Sequence, residues 1–138
     1  MDIDIANLKK AYIDCNGSII VNTAVFKIKL FDPTFMIPHL FKDQWCVYTP
    51  YGFRKKLRHG SKTSIKLGAS FYCPPGFVIY FYTSAIYTNN LLVESKIVLT
   101  GDTSEIQLVV ANIGISDCLI NGYMNIAMFV ILPIINTN

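Results

Sequence analysis

Histidine is scarce in this sequence and closely paired cysteine is absent. Only His39 and His59 occur in 138 residues, and Cys15, Cys46, Cys73 and Cys118 stand far apart with no Cys-x-x-Cys spacing. A structural zinc centre needs such ligands at short spacing, so neither a metal nor any other cofactor is expected. A disulfide framework belongs to small secreted domains; the four thiols read as free and mostly buried. His59 has no serine or cysteine at triad spacing, which leaves no basis for nucleophilic catalysis. Acids are also scarce. In the second half Glu94, Asp102 and Glu105 are the acids that could approach one another, and they read as solvated strand-end carboxylates rather than a glycosidase pair. No run reaches the roughly 18 apolar residues of a membrane helix. The longest apolar candidate, Ile126 to Ile135, has the length of a strand or two, and the opening MDIDIANLKK lacks a signal-peptide core. A cytosolic or nuclear protein is expected, not a secreted one.

What is present is apolar and β-branched. Hydrophobic residues make up 52% of the chain and charged residues 15%. That excess points to surface buried in an oligomer or against a partner. Phe26, Ile28 and Leu30 alternate with Lys27 and Lys29, the period of a half-buried strand. Trp45 to Thr49 is a short strand ended by Pro50 and Gly52. Ser64 to Tyr72 alternates again and predicts one strand. Phe77 to Tyr87, carrying Phe77, Tyr80, Phe81, Tyr82 and Tyr87, is too long for one flat strand and reads as core or subunit seam. Leu91 to Leu99 predicts a strand, with Gly101-Asp102-Thr103 as a hairpin tip. Ile106 to Ala111 is a nearly continuous apolar run, expected to be buried on both faces. Cys118 to Ile120 pairs briefly, and Ile126 to Leu132 closes the domain. Helical spacing is confined to Ala6 to Tyr12. The whole predicts a single all-β domain, a sandwich or barrel, over residues 1–138.

Charge is unevenly spread. Residues 1–69 hold eleven of the twelve Lys and Arg, and residues 70–138 hold only Lys96. The densest part, Phe53 to Thr63, predicts a basic loop. Tyr51 to Lys62 is the expected contact surface, where Arg54, Lys55, Lys56, Arg58 and Lys62 would steer an acidic partner, with Phe53 or Leu57 as apolar anchors. Nucleic acid or another anion is a less favoured partner for residues 53–62, and an ordinary solvated loop is the plainest alternative.

Several segments, in order, resemble the trimeric dUTPase family over residues 44–133, leaving 1–43 as an N-terminal extension with first strands. Ser64 to Gly76, SIKLGASFYCPPG, looks like the strand and PxG turn before the family's second motif. Thr83 to Tyr87, TSAIY, falls on that motif. Glu105 to Asn112, EIQLVVAN, is similar to the strand after the third motif. Asn125 to Val130, NIAMFV, falls on the fourth, which reads RIAQLI in the family. The resemblance implies a dUTPase-like β-barrel or jelly-roll that assembles as a homotrimer.

It also marks systematic departures. The second motif's Arg falls on Thr83, while its Ser is kept as Ser84. The water-activating Asp of the third motif falls on Leu99, and its deoxyribose-packing Tyr on or near Asp102. The phosphate-binding Gln of the fourth falls on Met128. The first motif's Asp, used around magnesium and phosphates, falls near Cys46-Val47. Diphosphate hydrolysis needs a metal, a carboxylate that orients water, and donors along the phosphates. A chain with these substitutions, and with no Gly-rich arm before Asn138, is expected not to be an enzyme. It resembles most the non-catalytic dUTPase-derived proteins that adenoviruses express from early region 4. That resemblance implies a viral accessory protein that binds host proteins in the cytoplasm or nucleus. The end Asn136-Thr137-Asn138 lacks the hydroxyl and apolar terminus of a PDZ ligand. A structural jelly-roll of the capsid type and a residual nucleotide hydrolase are the alternatives.

Overall fold

A computed structural model describes residues 2–4, 19–21, 24–42, 44–84 and 90–134. Every regular element among them is a strand. The helical candidate Ala6 to Tyr12, Cys15, Tyr87 and the 136–138 terminus lie outside the described residues. Three strands open the chain: β1 (Asp2–Asp4), β2 (Ile19–Val21) and β3 (Ala24–Leu30). They are followed by β4 (His39–Phe41), β5 (Gln44–Tyr48), β6 (Arg54–Leu57), β7 (Lys62–Lys66) and β8 (Ala69–Tyr72). The second half supplies β9 (Phe77–Thr83), β10 (Leu91–Val93), β11 (Lys96–Val98), β12 (Gln107–Asn112), β13 (Cys118–Asn121) and β14 (Asn125–Pro133).

The largest sheet has the order β11-β9-β14-β5-β4. A second holds β1, β2 and β8 against β3, a third runs β10-β12-β7, and β6 pairs with β13. The residues before 44 therefore add strands to the domain: β3 takes β1 as well as β8, with Asp2 and Asp4 in register opposite Lys29 and Lys27. As the alternation requires, Phe26 and Ile28 are fully buried and Leu30 packs against the same core.

Four expectations are corrected by the pairing. The alternating run Ser64 to Tyr72 is not one strand, because Gly68 breaks it. Its φ of +86° suits glycine, and a Cβ there would lie 2.6 Å from Asp32 Cβ. β7 and β8 consequently join different sheets. Leu91 to Leu99 is split likewise between β10 and β11, where Glu94 N donates to Val109 O at 2.9 Å. Gly101-Asp102-Thr103 is therefore not a hairpin tip. It lies on a connection between sheets, begun by a turn in which Asp102 N donates to Leu99 O at 3.2 Å and Gly101 has φ +88°. Finally, β12 is buried on one face only: Leu108, Val110 and Asn112 point inward while Gln107 is exposed and Val109 and Ala111 are half-buried.

Phe129 on β14 sits at the centre of the core. Its ring lies 5.2 Å from both Phe71 and Phe81 and 6.0 Å from Trp45. These contacts join two of the sheets through edge-on, tilted and stacked rings, geometries that add to simple burial. The turn before β14 is held by the fully buried Thr49. Its hydroxyl donates to Asn121 O and accepts from Met124 N, while its backbone N donates to Met124 O at 2.9 Å. At Gly122 the two chain segments touch, and a Cβ would fall 2.0 Å from the Tyr51 carbonyl oxygen. Gly122→Ala is expected to cost at least about 2 kcal/mol through backbone displacement. Gly101→Ala, with open space around it, is expected to cost only about 1 kcal/mol for its left-handed backbone. Urea unfolding of both variants checks this; equal losses would show that the Gly122 contact relaxes freely.

Candidate functional site

The five-stranded sheet turns Trp45, Val47, Phe81, Ala127 and Phe129 toward the core. The side chains between them face outward. Register places Tyr82 beside Met128, and Met128 beside Cys46. A bulge between Asn125 and Ala127 pairs Asn125 with Tyr48 and so aims it to the same outer face. There its amide bonds the Cys46 sulfur. Cys46 and Met128, expected on the first and fourth motifs, are thus neighbours, a thiol beside a thioether.

This group is sealed although it lies on an outer face. Cys46 has no exposed surface and Met128 only 4%. Burial pushes the Cys46 thiol up, partly opposed by its bond from Asn125. Burial also raises Tyr82, with smaller contributions from Cys46 and Tyr80. The Tyr82 hydroxyl and Asn125 Oδ1 are buried without a hydrogen-bond partner among the described residues. In the sequence Tyr82 is one member of an aromatic run, and no local signal marks the bulge that re-aims Asn125.

The second-motif positions are occupied by structural contacts. Thr83 faces the other way, where its Oγ1 accepts from Val93 N at 2.9 Å and donates to Val93 O at 3.3 Å, tying β9 to β10. Ser84 is 3% exposed. The third-motif positions do not join them within the chain. Leu99 follows β11 with its side chain 55% exposed, about four residues or ~13 Å along the sheet from the Tyr82 row. Asp102 Oδ1 accepts from Ser104 Oγ at 2.7 Å and Ser104 N at 3.0 Å, and these bonds hold its carboxyl below the usual range. Magnesium takes hard oxygen ligands, usually carboxylates. Cys46, Met128 and Tyr82 do not fit it, and no three His, Cys, Asp or Glu side chains converge among the described residues.

The basic segment is a different site. The expected loop is mostly strand: Arg54, Lys55 and Lys56 are exposed on β6, Lys62 is exposed at the start of β7, and Arg58 is exposed in the turn between them. Leu57 is corrected as a contact residue. It is 2% exposed and belongs to the core, because strand alternation turns it inward opposite Cys118. Phe53 is half-buried against the same core. Tyr51 is 66% exposed, its ring 5.5 Å from that of Tyr123. Lys62 pairs with Glu94 at 3.2 Å, and Lys56 with Asp117 at 3.6 Å.

No protein-family model matches this sequence, and no curated protein does. Solved structures do match in shape. The dUTPase of Staphylococcus bacteriophage 80alpha superimposes with a TM-score of 0.73 at 16% identity, covering 86% of this chain and 94% of that one. A substituted dUTPase from phage phi11 of S. aureus, described for its coordination of a structural Mg(II) ion, gives a TM-score of 0.72 at 14% identity, covering 82% and 93%. This chain therefore has the dUTPase-like all-β fold. The 80alpha protein is further described as one of the phage dUTPases that control transfer of virulence genes by a proto-oncogenic G protein-like mechanism.

The thiols give a test of this burial. Cys73, whose Sγ donates to Phe77 O at 3.0 Å, is pushed by burial from 9.0 up to about 11. The unfolded chain gives up that proton first as pH rises, so the folded state holds more protons between those values and stability falls across pH 9 to 11. The contribution is complete below pH 9. In Cys73→Ala the fall over that window should be shallower, read as urea midpoints at each pH. An unchanged slope would show that Cys73 is solvated.

Proposed function

We propose that this chain is a non-catalytic protein on the dUTPase fold, which assembles as a homotrimer and acts by binding other proteins. One observation carries the reading: Cys46 and Met128 lie side by side, buried, at positions where the family places a carboxylate and a phosphate-binding amide. Leu99 stands where the water-orienting carboxylate would be, and a hydrocarbon cannot accept a proton. The resemblance to the adenovirus early region 4 proteins supports a viral accessory role toward host proteins, in the host cytoplasm or nucleus. The 80alpha dUTPase supports the idea that this fold can serve regulation.

Trimerisation is supported by the outer face of the large sheet. Phe41, Ile97, Leu99 and Leu132 are 44%, 54%, 55% and 44% exposed on that side, together with half-buried Val78, Tyr80 and Val130. Exposed apolar residues on one sheet face favour association. Light scattering should give three times the 15.5 kDa chain mass. Ile97→Glu should lower it toward a monomer, and a wild-type monomer would refute the assembly.

A residual nucleotide-binding protein is the second reading, favoured by the retained Ser84. Thermal melting with dUTP and Mg2+ separates the two. A ligand held at 100 times its Kd stabilises the native state by about 2.7 kcal/mol. No rise in Tm at millimolar dUTP, and no release of dUMP, is the expected result. A dose-dependent rise or measurable turnover would overturn the non-catalytic reading.

A further inference from the structure

The exposed edge of the small β6–β13 sheet carries a feature the dUTPase resemblance does not explain. Arg54, Lys55, Lys56, Asp117 and Leu119 line an open hollow of about 500 Å3. Three consecutive cations stand exposed there, with one carboxylate near them. Asp117 reaches only Lys56, at 3.6 Å, while Lys55 donates to the neutral Thr63 Oγ1 at 3.0 Å. Arg54 has no acidic partner among the described residues. Leu119 pairs in register with Lys56 and is 41% exposed, so it adds an apolar patch beside the cations.

We propose that this hollow is a docking site for an acidic peptide segment, one with carboxylates for Arg54, Lys55 and Lys56 and an apolar side chain for Leu119. Charge complementarity selects the occupant. The guanidinium and ammonium groups outnumber the single carboxylate, and carboxylates offer them charge-assisted hydrogen bonds. One feature disfavours nucleic acid: no aromatic ring lines the hollow on which a base could stack. Asp117 acts as an internal competitor: its ion pair with Lys56 must yield before an incoming carboxylate can take that lysine. The strip spans only three residues, ~10 Å, which suits a short motif rather than a broad interface. This site rests on the reading of the chain as a protein-binding protein, and it names the chemistry of the partner.

The test is fluorescence anisotropy on the full chain with a fluorescein-labelled ten-residue peptide, acidic throughout except for one central leucine. Controls are the same peptide with Asn and Gln for its acids, and a labelled ten-nucleotide oligo-dT. The acidic peptide should bind saturably and weaken with added salt. The double variant Arg54→Glu, Lys55→Glu should weaken it on the order of tenfold or more. Leu119→Ser should weaken it several-fold, and Asp117→Asn should strengthen it. All four substituted residues are exposed, and unchanged melting curves would confirm that the variants fold. Equal binding of the amide peptide, tighter binding of oligo-dT, indifference to the double variant, or no saturation at millimolar peptide would each overturn the site. Those failures leave the non-catalytic reading intact, whereas a dUTP-dependent rise in Tm would remove that reading and leave peptide binding standing.

Discussion

The packing of Phe129 against Trp45, Phe71 and Phe81 is the interaction on which the rest of the structure depends. β14 is the middle strand of the five-stranded sheet, so it is hydrogen-bonded on both edges. Its inward side chain meets rings from β5, β8 and β9. A strand held on both edges and one face has its register fixed, since a slip of one residue would turn every inward ring outward. Once β14 is placed, the positions of Cys46, Met128 and Tyr82 on the opposite face follow without further choice.

That separation of faces lets inward and outward residues answer to different constraints. Inward residues carry the burial energy, so they constrain the shape. Outward residues between them carry whatever reaction the fold supports, and their replacement by apolar groups costs the core little. Here the outer positions form a sealed group around Cys46 and Met128, with the Asn125 amide turned toward the sulfur by a bulge. That group holds neither a carboxylate nor a cationic side chain. The exposed cations of β6 sit on a separate small sheet, away from that group, where substitution disturbs neither.

Much of the architecture was legible because period-two alternation reports burial directly. Phe26 and Ile28 against Lys27 and Lys29 read correctly as a half-buried strand, and Trp45 to Thr49 as a short one, although Trp45, Cys46 and Val47 are all buried. The breaks were less legible. Ser64 to Tyr72 keeps its alternation straight through Gly68, so only the left-handed backbone there and the close approach of Asp32 reveal the change of sheet. Nothing in Glu94-Ser95 announces the break there, and its consequence, two strands in two sheets, depends on which partners are available. Leu57 shows the same limit. It lies within a run of cations that dominates its local composition, yet alternation and its pairing with Cys118 bury it.

The candidate site divides in the same way. The sequence by itself determined the chemical character of Leu99, Met128 and Cys46, whose side chains supply neither a carboxylate nor an amide wherever they are placed. It also determined the all-β class, since strand periodicity is a local property of the chain. Only the tertiary structure decided which residues meet. Cys46, Tyr82, Asn125 and Met128 come from three strands distant in sequence, and a one-residue bulge places Asn125 among them. Asp117 and Leu119 join Arg54, Lys55 and Lys56 only through the pairing of β13 with β6. Long-range registry of this kind is set by the sum of core packing over the whole domain, and no short stretch of sequence contains that sum.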